Sequence, residues 1–189
     1  MDEQAIKNYK AKKMMLWVGM ISMSMTFAGL TSAYVVSSSR ADWLSQFEMP
    51  NAFAISTLLI LLSSITFFIA KKSLEVKKLT QTKTGVLTTF LLALLFIYFQ
   101  FMGFRDIIAQ GYYFTGAESS ITTSFLYVLV LLHLTHLFAG IIVLTVVYIR
   151  LHLGNYSGSN TLGFELAHLF WHFLDIMWVY LYLFIVLYT

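Results

Sequence analysis

Residues 163–178 read GFELAHLFWHFLDIMW and open the last long apolar segment of the chain. This stretch places two carboxylates and two imidazoles in a sequence that otherwise has the character of a membrane helix. An ionisable side chain at the centre of a bilayer costs about 3 kcal/mol or more. These polar groups therefore need partners in protein, water or lipid headgroups, and the surrounding helices must pack so as to supply them.

The four ionisable residues of this stretch fall on one side of a helix. At 100° per residue, positions i, i+3, i+7 and i+10 lie within a stripe roughly 80° wide. The stripe consists of Glu165, His168, His172 and Asp175. We expect it to face protein, headgroups or water, whereas Trp171 and Trp178 lie off the stripe and fill the bundle around it.

The composition indicates a polytopic membrane protein of the all-α class. Hydrophobic residues make up 59% of the 189 residues, charged residues make up 11%, and there is one proline. Soluble domains carry about 25% charged residues. The absence of cysteine excludes disulfides and thiolate metal sites. The lysines cluster beside apolar segments, so their charge does not indicate a nucleic-acid partner.

Five apolar segments are long enough to cross a membrane, which takes about 20 helical residues for roughly 30 Å of hydrocarbon. The predicted helices cover residues 14–36, 52–70, 86–104, 122–149 and 163–188, and we expect residues 1–189 to form a single membrane domain. Small residues such as Gly19 and Gly29 predict that the first helix packs on more than one side. The Leu- and Ile-rich second helix is predicted to face mainly lipid.

The distribution of positive charge predicts the orientation of the chain. Ten of the twelve lysines and arginines lie in the N-terminal segment, in the connection after the second helix and in the connection after the fourth. Short loops rich in Lys and Arg stay on the cytoplasmic side. We therefore expect a cytoplasmic N-terminus and, after five crossings, a periplasmic C-terminus.

A second pair of histidines, His133 and His136, lies one turn apart on the fourth helix. If the last two helices are antiparallel neighbours, His136 and His172 lie at similar depth, and three interpretations stay open. The first is a four-histidine metal or haem site, as in a small cytochrome b-like or oxygenase-like redox protein. The second is hydrogen bonding between helices, worth about 0.6 kcal/mol per bond. The third is a proton relay along the stripe.

Two motifs resemble subunit III of the haem-copper oxidases. Residues 163–165 and 171–178 resemble the signature of the last helix of that family, a Gly-Phe-Glu entry followed by Trp-His-Phe-x-Asp-x-x-Trp. Residues 133–140 resemble its His-x-x-His-x-x-x-Gly motif on the preceding helix. The other segments match in order and length, so the chain is similar to the short five-helix bacterial form of this subunit over nearly its whole length.

The resemblance implies a non-catalytic subunit of a respiratory terminal oxidase in the bacterial inner membrane. Such a subunit stabilises subunit I, contacts other oxidase subunits, binds structural phospholipid and supports proton uptake during oxygen reduction. It has no catalytic, cofactor-binding or metal-binding residues of its own, because haem and copper are held by partner subunits. The choice between cytochrome c and quinol as electron donor, and membership of a larger respiratory supercomplex, are left open.

The resemblance also selects the residues that we expect to make intramembrane polar, lipid or subunit contacts. They are Glu165, His172, Asp175, His133, His136, His168, Trp171 and Trp178. His168 stands where the family usually has a small residue. The family's membrane-buried glutamate on the first of these helices corresponds to Met23, so the proton-related role of that glutamate is not implied for this chain.

Overall fold

A computed structural model describes residues 3–40, 43–44, 49–116, 120–154, 156 and 161–188. The polar residues 154–160, between the last two predicted helices, predict a turn, and most of them lie outside the described residues. The described helices are α1 (Glu3–Ser37), α2 (Asn51–Glu75), α3 (Leu79–Ala109), α4 (Ile121–His152) and α5 (Leu162–Tyr188). All five are long and apolar enough to cross a membrane. The predicted class, an all-α protein with five membrane-length helices, is confirmed.

Several helices extend well beyond the apolar segments that predicted them. Helix α1 begins at Glu3 instead of residue 14, and α3 begins at Leu79 instead of residue 86. Hydropathy marks the part of a helix that crosses hydrocarbon, whereas the backbone hydrogen bonds continue through polar residues that form helix well. The lysine-bearing ends of the helices are therefore helical and project beyond the apolar region.

Helices α2 and α3 form a tight antiparallel hairpin. Lys77 adopts a left-handed backbone conformation with φ of 57° between them. The amide of Lys78 donates to the carbonyl of Ser73 at 2.9 Å, and the amide of Lys77 donates to that of Leu74 at 2.9 Å. These bonds pair carbonyls at the end of α2 and reverse the chain within three residues.

Successive helices run antiparallel, so the bundle has two distinct ends. The starts of α1, α3 and α5 and the ends of α2 and α4 form what we call the lysine-rich end. Tyr9 of α1 contacts Glu165 of α5 there. At the opposite end, the amide of Leu44 donates to Thr122 Oγ1 at the start of α4 at 3.1 Å.

Helices α4 and α5 are the centre of the packing, because α5 contacts α1, α2 and α4, and α4 contacts α1, α3 and α5. Helix α3 contacts α2 and α4, and the α2–α3 contact is the most extensive. Large aromatic side chains fill the space between the helices. The fully buried ones include Phe53, Phe67, Phe96, Trp171 and Trp178.

The expectation that the second helix faces mainly lipid stays a prediction: side chains such as Leu58 and Ile65 are exposed, and one side of α2 is enclosed by its neighbours. Helix α2 buries a residue at nearly every turn, including Phe53, Ile60 and Phe67, between α3 and α5. A Cβ added to Gly85 of α3 would lie 2.8 Å from the Ala70 side chain, so the two backbones approach closely. Small and hydroxyl-bearing residues of α2 permit this close approach. The overall leucine and isoleucine content of α2 does not indicate it.

The expectation that the first helix packs on more than one side stays a prediction: among the described helices, α1 packs on one side. Helix α1 buries one narrow stripe that includes Met20, Phe27 and Tyr34. A Cβ added at Gly19 or at Gly29 would meet nothing within 4 Å. The small residues of α1 therefore lie away from the other described helices.

Candidate functional site

The ionisable stripe of α5 forms a series of polar contacts that runs along the helix beside α2. The Nε2 atoms of His168 and His172 lie 2.9 Å apart, so one imidazole donates a hydrogen bond to the other. The other ring nitrogen of His172, Nδ1, hydrogen-bonds with the hydroxyl of Ser64 on α2. The same Nδ1 lies 3.9 Å from Asp175 Oδ2. The spacing in the sequence thus placed these side chains on one face correctly.

Asp175 is the most deeply enclosed carboxyl of the stripe, with 2% of the residue exposed. It lies 13 residues beyond Leu162, which is about 20 Å along α5. Neither of its carboxyl oxygens makes a hydrogen bond of good geometry with a described residue, although the Ser64 hydroxyl lies beside it. Because α2 and α5 enclose the group, this chain keeps Asp175 out of hydrocarbon without help from a second protein.

Glu165 joins two helices at the lysine-rich end. The hydroxyl of Tyr9 on α1 donates to Glu165 Oε2 at 2.9 Å. The hydroxyl of Thr161, just before α5, donates to Glu165 Oε1 at 2.9 Å. Tyr9 is a residue that sequence reasoning missed, since nothing in the polar N-terminal segment indicates a partner more than 150 positions away.

The two tryptophans of the α5 motif connect α5 to α2 through their indole N–H groups. Trp171 Nε1 donates to Ser63 Oγ at 3.2 Å, and Trp178 Nε1 donates to Thr57 Oγ1 at 3.0 Å. Each hydroxyl in turn donates to a carbonyl of α2 within the preceding turn. The indole N–H groups and the two hydroxyls therefore all have hydrogen-bond partners in the apolar interior.

The histidines of α4 lie in a different part of the bundle. The ring of His133 is fully buried against Phe27, Phe96 and Trp178, with the centroid of the Trp178 ring 5.2 Å away. Neither ring nitrogen of His133 has a hydrogen-bond partner among the described residues. His136 Nδ1 lies 2.8 Å from the Leu132 carbonyl of its own helix.

The two histidine pairs therefore do not form one site. His133 and His136 both pack against Phe27 of α1, whereas His172 bonds to Ser64 of α2. Within the described part of the chain, no group of three or more His, Asp or Glu side chains is arranged to hold a metal ion. Residue spacing predicted which histidines share a face of one helix. It could not predict the rotation of α4 about its axis, which places His133 and His136 toward α1 and α3.

A tyrosine outside the membrane-spanning helices lies near Arg150 at the lysine-rich end. Burial raises the pKa of the Tyr156 hydroxyl, and the positive charge of Arg150 acts in the opposite direction. A Cβ added to Gly163 would lie 2.9 Å from this hydroxyl. The glycine that opens the α5 motif therefore makes room for Tyr156.

The fold and these contacts define a class of protein, a polytopic helix bundle whose buried polar side chains join one helix to another. The family model described as "Cytochrome c oxidase subunit III" matches residues 10–189. The chain belongs to this family, which confirms the resemblance seen in the last two helices.

Curated relatives include subunits of oxidases that are named for two different electron donors. The chain is 33% identical over 135 residues to a probable cytochrome c oxidase subunit 3 of Rickettsia felis, which is 69% of this chain and 46% of the relative. It is 29% identical over 178 residues to a cytochrome bo(3) ubiquinol oxidase subunit 3 of Buchnera aphidicola, which is 91% of this chain and 84% of the relative. A ubiquinol oxidase subunit 3 of Pseudomonas putida is 31% identical over 170 residues. The chain thus spans about half the length of the Rickettsia relative and most of the Buchnera one.

Proposed function

We propose that this chain is the non-catalytic subunit III of a respiratory haem-copper oxidase in a bacterial inner membrane, where it stabilises subunit I. The observation that supports this most strongly is the extent of the family match, which runs through all five helices. The relatives named as subunits of cytochrome c oxidase and of ubiquinol oxidase support a place in an oxidase complex. Because the relatives carry both names, they do not decide between cytochrome c and quinol as the electron donor.

The proposed role needs no redox centre in this chain. Haem and copper would be held by partner subunits, and the histidines here would serve helix packing. The aromatic environment of His133 and the bond between His172 and Ser64 support this assignment. The chain would form one membrane domain with its lysine-rich end in the cytoplasm.

Purification of the chain with its natural partners tests the proposal. A tagged chain extracted in mild detergent should bring with it subunits that contain haem and copper, in fixed ratio. After dissociation from those subunits, the isolated chain should show no Soret absorption. A chain that purifies alone from native membranes, or that carries stoichiometric haem after dissociation, would contradict the proposal.

Support of proton uptake is the second part of the proposed function. The bonded imidazoles of His168 and His172 extend from the lysine-rich end toward Asp175, and proton paths in membranes are built from such rows of histidines and carboxylates. In the assembled oxidase, replacing both histidines by leucine should make oxygen reduction fall more steeply as the pH rises and protons become scarce. The exposed His152, replaced in the same way, is the control. Identical pH profiles for the double variant and the wild type would remove this part of the proposal.

A further inference from the structure

His168 and His172 stand one turn apart on α5, and one ring nitrogen of each approaches the other. Residues four apart share a helix face, and a histidine pair at this spacing is how a helix presents two imidazoles to a metal ion. The two Nε2 atoms lie 2.9 Å apart. The ring centroids are 4.2 Å apart and the ring planes lie at 76° to each other. Rings that faced each other head-on would have their centroids farther apart, so these two meet at an angle, as two ligands of one ion do.

The separation of the two nitrogens matches the space that a transition-metal ion needs. Imidazole nitrogens bind Zn²⁺ at about 2.0–2.1 Å. Two ligands at that distance lie about 2.9 Å apart when they subtend a right angle at the ion, and about 3.3 Å apart at the tetrahedral angle. The observed separation of 2.9 Å therefore admits an ion in place of the hydrogen bond. The rings need to move apart by about 0.5 Å or less.

The surroundings of His172 hold its ring in the orientation that a metal ligand requires. Its Nδ1 hydrogen-bonds with Ser64 of α2, and Asp175 Oδ2 lies 3.9 Å from the same nitrogen. The Ser64 hydroxyl lies beside the Asp175 carboxyl, so it can donate there and accept from the Nδ1–H group. Ligating histidines donate their second N–H to a partner of this kind, which fixes the tautomer and the ring orientation. With Nδ1 protonated, the Nε2 lone pair of His172 is available to an ion.

A cavity of about 190 Å³ at the lysine-rich end leads to this histidine pair. His168 and Glu165 of α5 line the cavity together with Lys13 of α1 and Lys71 of α2. A water molecule takes about 30 Å³ in the liquid, so the cavity has room for several. Such waters complete the coordination of an ion that two imidazoles hold, and Glu165 supplies a negative charge in the same cavity.

The two lysines of the cavity act against a bound cation. Lys13 and Lys71 carry positive charge beside the histidine pair, which weakens the attraction for a metal ion. Two protein ligands also hold an ion less firmly than the three or four of a catalytic or structural zinc site. The site therefore suits an ion that exchanges with the surrounding solution. An exchangeable, redox-inert ion is compatible with a subunit that carries no redox centre.

We propose that His168 and His172 form a regulatory site for one exchangeable divalent transition-metal ion of the imidazole-preferring class, with Zn²⁺ as its representative. The pair holds either the ion or the hydrogen bond that now joins its Nε2 atoms. That hydrogen bond belongs to the row of groups proposed to support proton uptake, so a bound ion interrupts the row. The binding stands on the geometry of the pair, whereas its effect on the oxidase rests on the proposed function.

Calorimetric titration with Zn²⁺ tests the site on the full chain in detergent, purified without a polyhistidine tag. The wild type should bind one Zn²⁺, whereas Mg²⁺, which prefers oxygen ligands, should not bind at this pair. His168→Gln should weaken Zn²⁺ binding about a hundredfold, and Ser64→Ala, which removes the partner of Nδ1, about tenfold. The matched control is His152→Gln, which changes an exposed histidine at the same end and should leave the affinity unchanged.

Two further measurements separate loss of a ligand from loss of structure. Lys71→Gln removes a positive charge from the cavity and should strengthen Zn²⁺ binding about threefold, which an unfolded variant would not do. With Cu²⁺ as the probe, electron paramagnetic resonance should show two coordinated nitrogens in the wild type and one in His168→Gln. Absence of Zn²⁺ binding by the wild type, or equal affinity in the wild type and His168→Gln, would overturn the site.

The assembled oxidase shows whether the ion acts on proton uptake. At high pH, one equivalent of Zn²⁺ per complex should slow oxygen reduction by the wild type to the rate of the double variant His168→Leu, His172→Leu. The same addition should slow the double variant no further. Unchanged turnover of a wild-type complex that has bound Zn²⁺ would overturn the regulatory role. Calorimetry reads the ion on the chain alone, so its outcome can be told apart from a failure of the oxidase proposal, which co-purification tests.

Discussion

His133 shows how an imidazole can be accommodated in this bundle without a hydrogen bond. It is fully buried, and its two nitrogens have no partner within the described residues. A buried polar group that is left unsatisfied costs about 1–3 kcal/mol. Contacts with the rings of Trp178, Phe96 and Phe27 offset part of this cost.

Replacing His133 by leucine should therefore leave the protein as stable as the wild type or stabilise it by about 1–3 kcal/mol. Leucine fills nearly the same space and removes the unpaired nitrogens. Thermal unfolding of the purified protein, followed by near-ultraviolet circular dichroism, measures the change.

A comparison variant makes this outcome interpretable. Trp178→Phe loses the hydrogen bond to Thr57 in the same region and should lower stability by about 1 kcal/mol. If His133→Leu were destabilising to a similar degree, the imidazole would have to be paired in the native protein, for example through a buried water molecule.

The polar stripe was predictable from residue spacing, but its partners were not. A period of 3.6 residues places Glu165, His168 and His172 on one face of any helix. The groups that they contact, Tyr9 and Ser64, lie more than 100 positions away in the sequence and carry no local signal. Such pairings depend on how whole helices dock, and no window of one helix contains that information.

At the scale of helices, close backbone approach is the main determinant of packing. A Cβ added to Gly140 of α4 would lie 2.8 Å from a methyl carbon of Leu174 and 3.2 Å from the ring of Trp171. Both neighbours are buried in α5 and have little room to move. Apolar side chains pay no penalty for contact with lipid, so close packing of this kind drives much of the association between membrane helices.

Gly140→Ala should destabilise the protein by about 1–3 kcal/mol, because the new methyl group overlaps Leu174. Gly29→Ala is the matched control, since a Cβ there meets nothing within 4 Å. Alanine at that position should be neutral or stabilise the helix by up to about 1 kcal/mol. Chemical unfolding of the two variants in detergent micelles provides the comparison. Equal changes in stability for the two variants would show that the close α4–α5 contact at Gly140 does not set the effect.

The packing of α2 against α3 and α5 illustrates what prediction from single helices missed. Leucine and isoleucine are as frequent on a lipid-facing helix as on an enclosed one, so composition cannot distinguish the two environments. The hydroxyls of Ser63 and Thr57, which accept from Trp171 and Trp178, were the informative residues. Their spacing of six residues nearly matches that of the two tryptophans, but this correspondence becomes evident only when α2 and α5 are seen side by side.

For the whole molecule, the number of crossings followed directly from hydropathy, and the neighbour relations did not. Each helix is apolar over most of its circumference, so no polar face indicates which side turns inward. The contacts of α5 with α1, α2 and α4 arise from specific side chains distributed along it. The family resemblance of the last two helices indicated the fold, whereas the pattern of a single helix does not indicate its neighbours.

The orientation of the bundle can be tested with single cysteines, because the chain contains none of its own. A cysteine at Lys77 should resist a membrane-impermeant thiol reagent added to spheroplasts, since positive loops remain in the cytoplasm. A cysteine at Phe114, which is exposed at the opposite end, should react. Labelling at 77 with protection at 114 would invert the proposed topology.

The contacts of α1 have a consequence for biogenesis. Among the described residues, this helix touches only α4 and α5, which the ribosome makes last. The α2–α3 hairpin can close as soon as it is inserted, whereas the first helix must wait in the bilayer until its docking sites have been translated. During that interval Tyr9 and Thr31 lack the groups of α5 with which they hydrogen-bond, so truncation before α5 should leave α1 more susceptible to membrane proteases.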